Sequence, residues 1–386
     1  MAARLLQTAI IQSHERRSKD EKESKKDVLP DVLPPLTISH VAEVPALSSD
    51  YDVLVGVRAV ALNPTDFKMV RNFPAPGKTM GCDFCGTVVE AGAQAVHDRG
   101  TRVCGAVFPY SQADDDAESD ASTGAFAQFV VADSRLLLRV PDDWDDLRGA
   151  ALGGIGWATA GLAMSDQEAL ALPGFPSEPV PAEEREPVLV YGGATATGTV
   201  ACQLLSLSGY APIAVTSTHS AAVATEYGAA GTVAYSSPNC VQSLKTLAAA
   251  PIRHALDCIT TAETVATCFA ALARAGGRYA CLEGVHDSWR TRRAVRVKEV
   301  MGFEGLGRAV RLGDKGSATY SRDANPVLFS LCARWTDELQ KLLDAGRLKN
   351  HPIREIEGQW GGIIKGLSLL ETHQVRGQKL VVKVVL

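Results

Sequence analysis

The residues best placed to do chemistry lie in the run Val188-Leu189-Val190-Tyr191-Gly192-Gly193-Ala194-Thr195-Ala196-Thr197-Gly198-Thr199-Val200-Ala201. Aliphatic and β-branched residues enter a glycine turn, which opens into a small-residue segment continued by Gln203, Leu204 and Leu205. A strand that turns through glycine into a helix presents backbone N–H groups to a diphosphate, and the helix N-terminus adds partial positive charge there. The spacing departs from the full G-x-G-x-x-G, because four small residues separate Gly193 from Gly198. Such a turn can also be a purely structural closure.

Pro212-Ile213-Ala214-Val215 predicts a second buried strand about twenty residues on, where a dinucleotide fold places its ribose-reading residue. An NAD enzyme usually carries Asp or Glu there, whereas this chain has Thr216, Ser217, Thr218, His219 and Ser220. Without a carboxylate a 2′-phosphate is not repelled, and hydroxyls with an imidazole can donate to it, so NADPH is the expected cofactor. The alternative is a Ser/Thr-rich loop that caps a helix over 221–227.

Cys82-x-x-Cys85 resembles half of a structural zinc site, but such a site needs four ligands and no second pair stands nearby. Nine cysteines at irregular spacing read as reduced thiols. No apolar run approaches the roughly 20 residues of a membrane span, and no secretion pattern opens the chain. A soluble, cytoplasmic protein is expected. A formal charge of −5 argues against general nucleic-acid binding.

These residues need a scaffold, and 386 residues at 46% hydrophobic suffice for two packed domains. Strands are predicted at Gln7 to Ile11, at Leu36 to Ile38, and at Asp52 to Val60, the last alternating as a half-buried strand should. The segment 14–35 mixes charges with almost no apolar content and is expected as a mobile surface loop. Asp114 to Asp116 reads as a solvated loop. Glycine-punctuated strands follow at Met80 to Gly92, Thr101 to Gly105 and Gly124 to Val131. The proline-rich stretch from Leu172 to Pro187 is expected as an extended surface loop. Leu328, Leu331, Trp335, Leu339 and Leu342 predict a helix closed by Gly346, taken as a return to the first domain.

Ala61-Leu62-Asn63-Pro64-Thr65-Asp66-Phe67-Lys68, Gly86-Thr87-Val88-Val89-Glu90-Ala91-Gly92, the dinucleotide turn and the closing Gly377-Gln378-Lys379-Leu380-Val381-Val382 together resemble the medium-chain dehydrogenase/reductase superfamily. Tyr191-Gly192-Gly193-Ala194-Thr195-Ala196-Thr197, Leu207 to Ala214 and Ala255 to Thr260 resemble one branch, the fungal trans-acting enoyl reductases of highly reducing polyketide synthases. The likeness runs from about Asp52 to the C-terminus and leaves out 14–35. It implies an α/β fold: a β-rich GroES-like catalytic domain (1–165 and 315–386) with an inserted Rossmann domain (166–314). A catalytic zinc would need Cys or His where Asn63 and Cys82 stand, and Asn63 is a poor ligand, so no metal is expected.

Hydride addition to an enoyl thioester builds negative charge on the thioester oxygen, so donors aimed at that oxygen are the useful groups. The resemblance implies Lys68, in a cofactor-and-substrate loop with Thr65, Asp66 and Phe67, and Thr159 as catalytic candidates. A surface lysine paired with Asp66 or Glu90, and a threonine bonded to its own helix, are the competing readings. Tyr191 and His286 are weaker acid candidates, and water is another proton source. Cofactor contacts are implied for Ala194, Thr195, Ala196, Thr197, Ser217, Thr218, His219, Ser220, Tyr235, Leu282, Glu283, Val375 and Arg376. The substrate-lining set is Thr159, Ala160, Gly161, Leu162, Ala163, Met164, Ser165 and Asp166 with Gly302, Phe303, Glu304, Gly305 and Leu306.

Arg290, Arg292, Arg293, Arg296 and Lys298, with Arg308 and Arg311, form a basic stretch in an acidic chain. It suits an acidic acyl carrier protein of a polyketide synthase that presents substrate on phosphopantetheine, or else it is a solvated basic loop. A monomer is expected. The alternatives are a free-standing NADPH quinone or enone reductase and a non-catalytic NADPH-binding scaffold.

Overall fold

The computed structural model describes residues 5–13, 36–110, 123–312 and 320–385. The expected loops at 14–35 and at Asp114 to Asp116, and the boundary at 315, lie outside the described residues. The chain divides into two units, Met1–Ile155 with Leu306–Asn325 and Pro352–Leu386, and Gly156–Gly305 with Pro326–His351.

The first unit opens with β1 (Leu6–Gln12) and β2 (Leu36–Glu43), an antiparallel pair, and continues with β3 (Asp52–Leu62). Only Arg58 of β3 is exposed, so the strand is buried almost throughout rather than half-buried. It is flanked by antiparallel partners, and its valines and alanines suit close packing on both faces. Next comes α1 (Pro64–Asn72), where the sequence reading had a loop. Pro64 at the first helical position brings a preset φ, and the Asp66 carboxylate accepts from the Asn63 amide at 2.7 Å. β4 (Asp83–Ala91), β5 (Arg102–Ala106), β6 (Phe129–Asp133), β7 (Leu138–Arg139) and α2 (Asp146–Leu152) follow.

Helix α3 (Ile155–Ser165) begins in the first unit and runs on into the second. The second unit then alternates β8 (Pro187–Tyr191), α4 (Ala196–Leu207), β9 (Ala211–Thr216), α5 (Ala221–Glu226), β10 (Gly231–Ala234), α6 (Cys240–Ala248), β11 (His254–Asp257), α7 (Ala262–Ala271), β12 (Gly277–Cys281) and β13 (Val295–Glu299). Its parallel sheet has the order β10-β9-β8-β11-β12-β13, a doubly wound arrangement whose order reverses between β8 and β11. Leu189, Val215, Val265, Phe269 and Tyr279 belong to its apolar core. Arg296 and Lys298, expected in a basic loop, stand on the edge strand β13.

Helix α8 (Pro326–Asp344) packs into this second unit and not into the first. The reason is steric fit: a Cβ on Gly161 of α3 would lie 2.7 Å from the indole of Trp335, and one on Gly305 3.0 Å from Cys332 Sγ. Glycines therefore let α8 approach closely, and Trp335 is fully buried with its indole N–H donating to Ser165 Oγ at 3.2 Å. Phe175 stacks beside it at 4.9 Å, so the proline-rich stretch is pinned by a buried anchor rather than lying wholly on the surface.

The chain closes in the first unit with β14 (Ile353–Glu355), α9 (Gln359–Glu371) and β15 (Lys379–Lys383). Among the described residues the sheet order there is β14-β15-β3-β4-β5-β7, with β6 also paired to β3.

Candidate active site

In the second unit the C-terminal ends of the parallel strands carry the expected cofactor residues along one edge. Gly192 follows β8 with φ 78°, and a Cβ on Gly198 would lie 2.2 Å from the Gly192 carbonyl oxygen. These glycines let the turn fold back onto the start of α4. Thr195 caps α4, its hydroxyl accepting from the Gly198 amide at 3.1 Å. The amides of Ala194, Ala196 and Thr197 make no hydrogen bond to a described residue. They are the unsatisfied donors of a helix start, the geometry an anionic diphosphate takes up.

One strand over, the loop after β9 takes up a capping role. Ser217 caps a short turn, accepting from the Ser220 amide and donating to the Ser220 hydroxyl at 3.0 Å. Thr218 and His219 remain exposed, and the loop 216–220 holds no carboxylate. Tyr235 is 53% exposed and leaves β10, whose last residue Ala234 pairs with Thr216. At the same edge the Leu282 amide donates to Thr260 Oγ1 at 3.2 Å, and Glu283 is half-buried. Asp257, not singled out from sequence, organises this end. Its carboxylate accepts from the Ile259 and Thr260 amides at 2.9 Å, from Thr264 at 2.5 Å and from Tyr279 at 2.8 Å.

Thr159 lies on α3 and is 6% exposed, and its hydroxyl makes no hydrogen bond to a described residue. It is therefore not tied back to its own helix. A Cβ on Gly302, in the turn Gly302–Leu306, would lie 2.4 Å from Thr159 Oγ1. The rest of the expected lining helix is mostly interior. Ala160, Ala163 and Met164 have no accessible surface, Gly161 lies under Trp335, and Leu162 and Ser165 are buried. Phe303, Glu304 and Gly305 are buried as well, and Asp166 and Leu306 are half-buried. These small residues serve helix packing, which a small-residue pattern alone does not distinguish from a ligand surface.

In the first unit Lys68 and Thr65 are half-buried on α1, Phe67 is buried, Val375 is half-buried and Arg376 is exposed. Asp66 is fully buried, and its Oδ1 has no partner. Burial, reinforced by the neighbouring Asp83, pushes its carboxyl up to about 7 against the pull of the Asn63 amide, Cys82 and Lys379. Asp83, by contrast with the unpartnered Oδ1 of Asp66, has partners on both oxygens. Its Oδ1 accepts from the Gly154 and Ile155 amides at 2.9 Å, and its Oδ2 from Asn63 Nδ2 at 2.8 Å and from the Lys379 ammonium at 3.0 Å. Lys379 also donates to Asn63 Oδ1. This cluster was not assembled from sequence; its signal was a lysine heading a strand of leucine and valines.

Cys82 and Cys85 are buried, and burial pushes both thiols up. Among the described residues no group of three or more His, Cys, Asp or Glu is arranged to hold a metal ion. Tyr191 is held up at about 12 by burial, while His286 is exposed and bonded to Ser288.

The basic stretch divides. Arg292, expected on a steering rim, instead donates to the carbonyls of Phe269, Leu272, Ala273 and Arg274, and so closes the C-terminal end of α7. Lys298 pairs with Glu168 at 2.7 Å, Arg308 with buried Asp52 at 3.4 Å and Arg311 with Asp323 at 2.7 Å. Arg293 and Arg296 are exposed and make no ion pair with a described residue.

Residues 49–142 match the alcohol dehydrogenase GroES-like domain family. The chain is 48% identical to the trans-enoyl reductase calK of Penicillium decumbens over 98% of each chain. It is 51% identical to the trans-enoyl reductase sthE of Phaeosphaeria nodorum over 91% of this chain and 93% of the relative. The crystal structure of CurK enoyl reductase matches 98% of this chain and 100% of its own with a TM-score of 0.68 at 16% identity, a likeness of fold. No helix among the described residues is long and apolar enough to cross a membrane.

Proposed function

Because the chain belongs to the fungal trans-enoyl reductases, we propose that it reduces the α,β double bond of enoyl thioesters carried by a partner polyketide synthase, with NADPH as the reductant. The observation that carries the cofactor reading is the edge of the doubly wound sheet. Donor amides at Ala194, Ala196 and Thr197 suit a diphosphate, and the exposed Thr218 and His219 suit a 2′-phosphate with no carboxylate in their loop. Tyr235, Leu282 and Glu283 line the same edge, with Tyr235 offering its ring to adenine.

A bound nicotinamide supplies hydride to the thioester's Cβ. The chain's own part is to hold the thioester and stabilise the charge that grows on its oxygen. Lys68 brings a cation and Thr159 a hydroxyl not engaged by its own helix, and both are proposed to donate to that oxygen. Val375 and Arg376 are proposed as cofactor contacts. Water is the proposed proton source for Cα. Arg293 and Arg296 offer unpaired positive charge to an acidic acyl carrier protein. A monomer is proposed to suffice.

The test is NADPH oxidation with crotonyl- or tiglyl-pantetheine. Consumption that requires the enoyl thioester, and is much slower with NADH, supports the reading. Turnover of small quinones without enoyl thioesters would make the protein a free-standing reductase. NADPH binding with no turnover of either would make it a scaffold.

A further inference from the structure

Three neighbouring strands of the first unit end together on one polar cluster. Leu380 of β15 pairs antiparallel with Leu62 of β3, so Lys379 falls beside Asn63; Ala61 of β3 pairs with Asp83 of β4. The ammonium of Lys379 bonds Asn63 Oδ1 and, at 3.0 Å, Asp83 Oδ2, and its side chain is 5% exposed. Asn63 immediately precedes α1, the helix of Thr65 and Lys68. The second oxygen of Asp83 holds the amides of Gly154, just before α3, and of Ile155, its first residue.

Stability does not explain a buried lysine here, because replacing a buried ion pair with apolar groups of similar size is often neutral or stabilising. Geometry does. Asp83 has all four of its contacts from donors, one of them charged, which fixes the carboxylate in one orientation. Lys379 in turn bonds both groups of the Asn63 and Asp83 pair and so locks the turn from β3 into α1. Asp66, Cys82 and Cys104 are titratable groups that feel the charge of this cluster.

We propose that Lys379 is a positioning residue for enoyl reduction, its buried ammonium tying the closing strand to the start of α1 so that this helix presents Thr65 and Lys68 in one fixed arrangement. This rests on the reductase reading above.

The experiment uses the full-length protein with NADPH and crotonyl-pantetheine. Lys379→Met/Asp83→Asn removes both charges together and leaves neither buried alone. Asn63→Ser keeps the ion pair and removes one end of the link. The double variant is expected to melt within a few degrees of the parent and to bind NADPH with unchanged Kd. Its kcat falls about tenfold or more, with an increased isotope effect on hydride transfer from deuterated NADPH. Asn63→Ser is expected to lose about threefold in kcat. A kcat within about twofold of the parent in either folded variant overturns the proposal; should the double variant not fold, Asn63→Ser decides. A parent that turns over no enoyl thioester refutes the functional reading instead, whereas an active parent with unaffected variants refutes only the role of Lys379.

Discussion

Thr159 Oγ1 stands where a side chain at Gly302 would have to go, 2.4 Å from the Cβ that any other residue would place there. That hydroxyl is not held by its own helix, so a methyl group at position 302 can turn it away without breaking a bond to a described residue. Gly302→Ala is therefore expected to lower kcat/KM for enoyl thioesters roughly tenfold or more, as a misplaced donor does, with little change in melting temperature. Thr159→Val should give a similar loss. Steady-state kinetics beside thermal melts check this, and full activity in Gly302→Ala would show that the hydroxyl is not a donor in the reaction.

Asp66 gives the fold a pH dependence of definite sign. Burial pushes its carboxyl up to about 7 in the folded chain, against an ordinary carboxylate value of about 4. The folded state thus holds the proton more tightly than the unfolded one, so stability is fully present below about pH 4 and is lost as pH rises toward 7. The loss is on the order of 4 kcal/mol for this buried group at about 1.36 kcal/mol per unit. Asp66→Asn, which mimics the protonated form, should abolish that slope, gaining stability at pH 8 and little at pH 4. Denaturant melts at the two pH values measure it, and an unchanged slope would mean that Asp66 is ionised at neutral pH.

The doubly wound half was legible because its signals are local: aliphatic runs, a glycine turn and one strand about twenty residues further on. Helix α1 has a local signal in Asn63, Pro64 and Asp66, which form a helix start, but the family resemblance makes the same run a loop. Placement of α8 was not readable, since what draws it to α3 is the absence of a side chain at Gly161 opposite Trp335, a relation across about 170 residues. The Lys379 cluster joins positions 63, 83, 154 and 379 through strand register, which no spacing rule in the sequence encodes. Capping roles likewise emerge only in three dimensions, as Arg292 shows.

The ribose-reading loop predicts cofactor choice. His219 is exposed beside Thr218 in a loop without a carboxylate. His219→Glu would place negative charge against a 2′-phosphate and leave a 2′-hydroxyl unopposed. It should weaken NADPH binding about tenfold or more while NADH binding changes little, at about 1.4 kcal/mol per tenfold. Fluorescence titration with both coenzymes checks this. Equal losses for the two would place the 2′-phosphate elsewhere.

Arg292 and Arg293 are adjacent in sequence but should behave in opposite ways. Arg292 donates to four carbonyls at and just beyond the end of α7, two of them on the buried residues Phe269 and Leu272, so Arg292→Ala should cost about 1–3 kcal/mol of stability. Its activity loss should be the same for every substrate, because it acts through the fold. Arg293→Glu/Arg296→Glu changes two exposed cations that pair with no described residue and should leave the melting temperature alone. If these cations meet an acidic carrier, the double variant slows turnover of carrier-bound enoyl groups about tenfold at low salt, with a smaller effect at high salt. Reduction of soluble pantetheine thioesters stays as in the parent. Equal slowing on both substrates would remove these arginines from carrier recognition and leave that role to another surface.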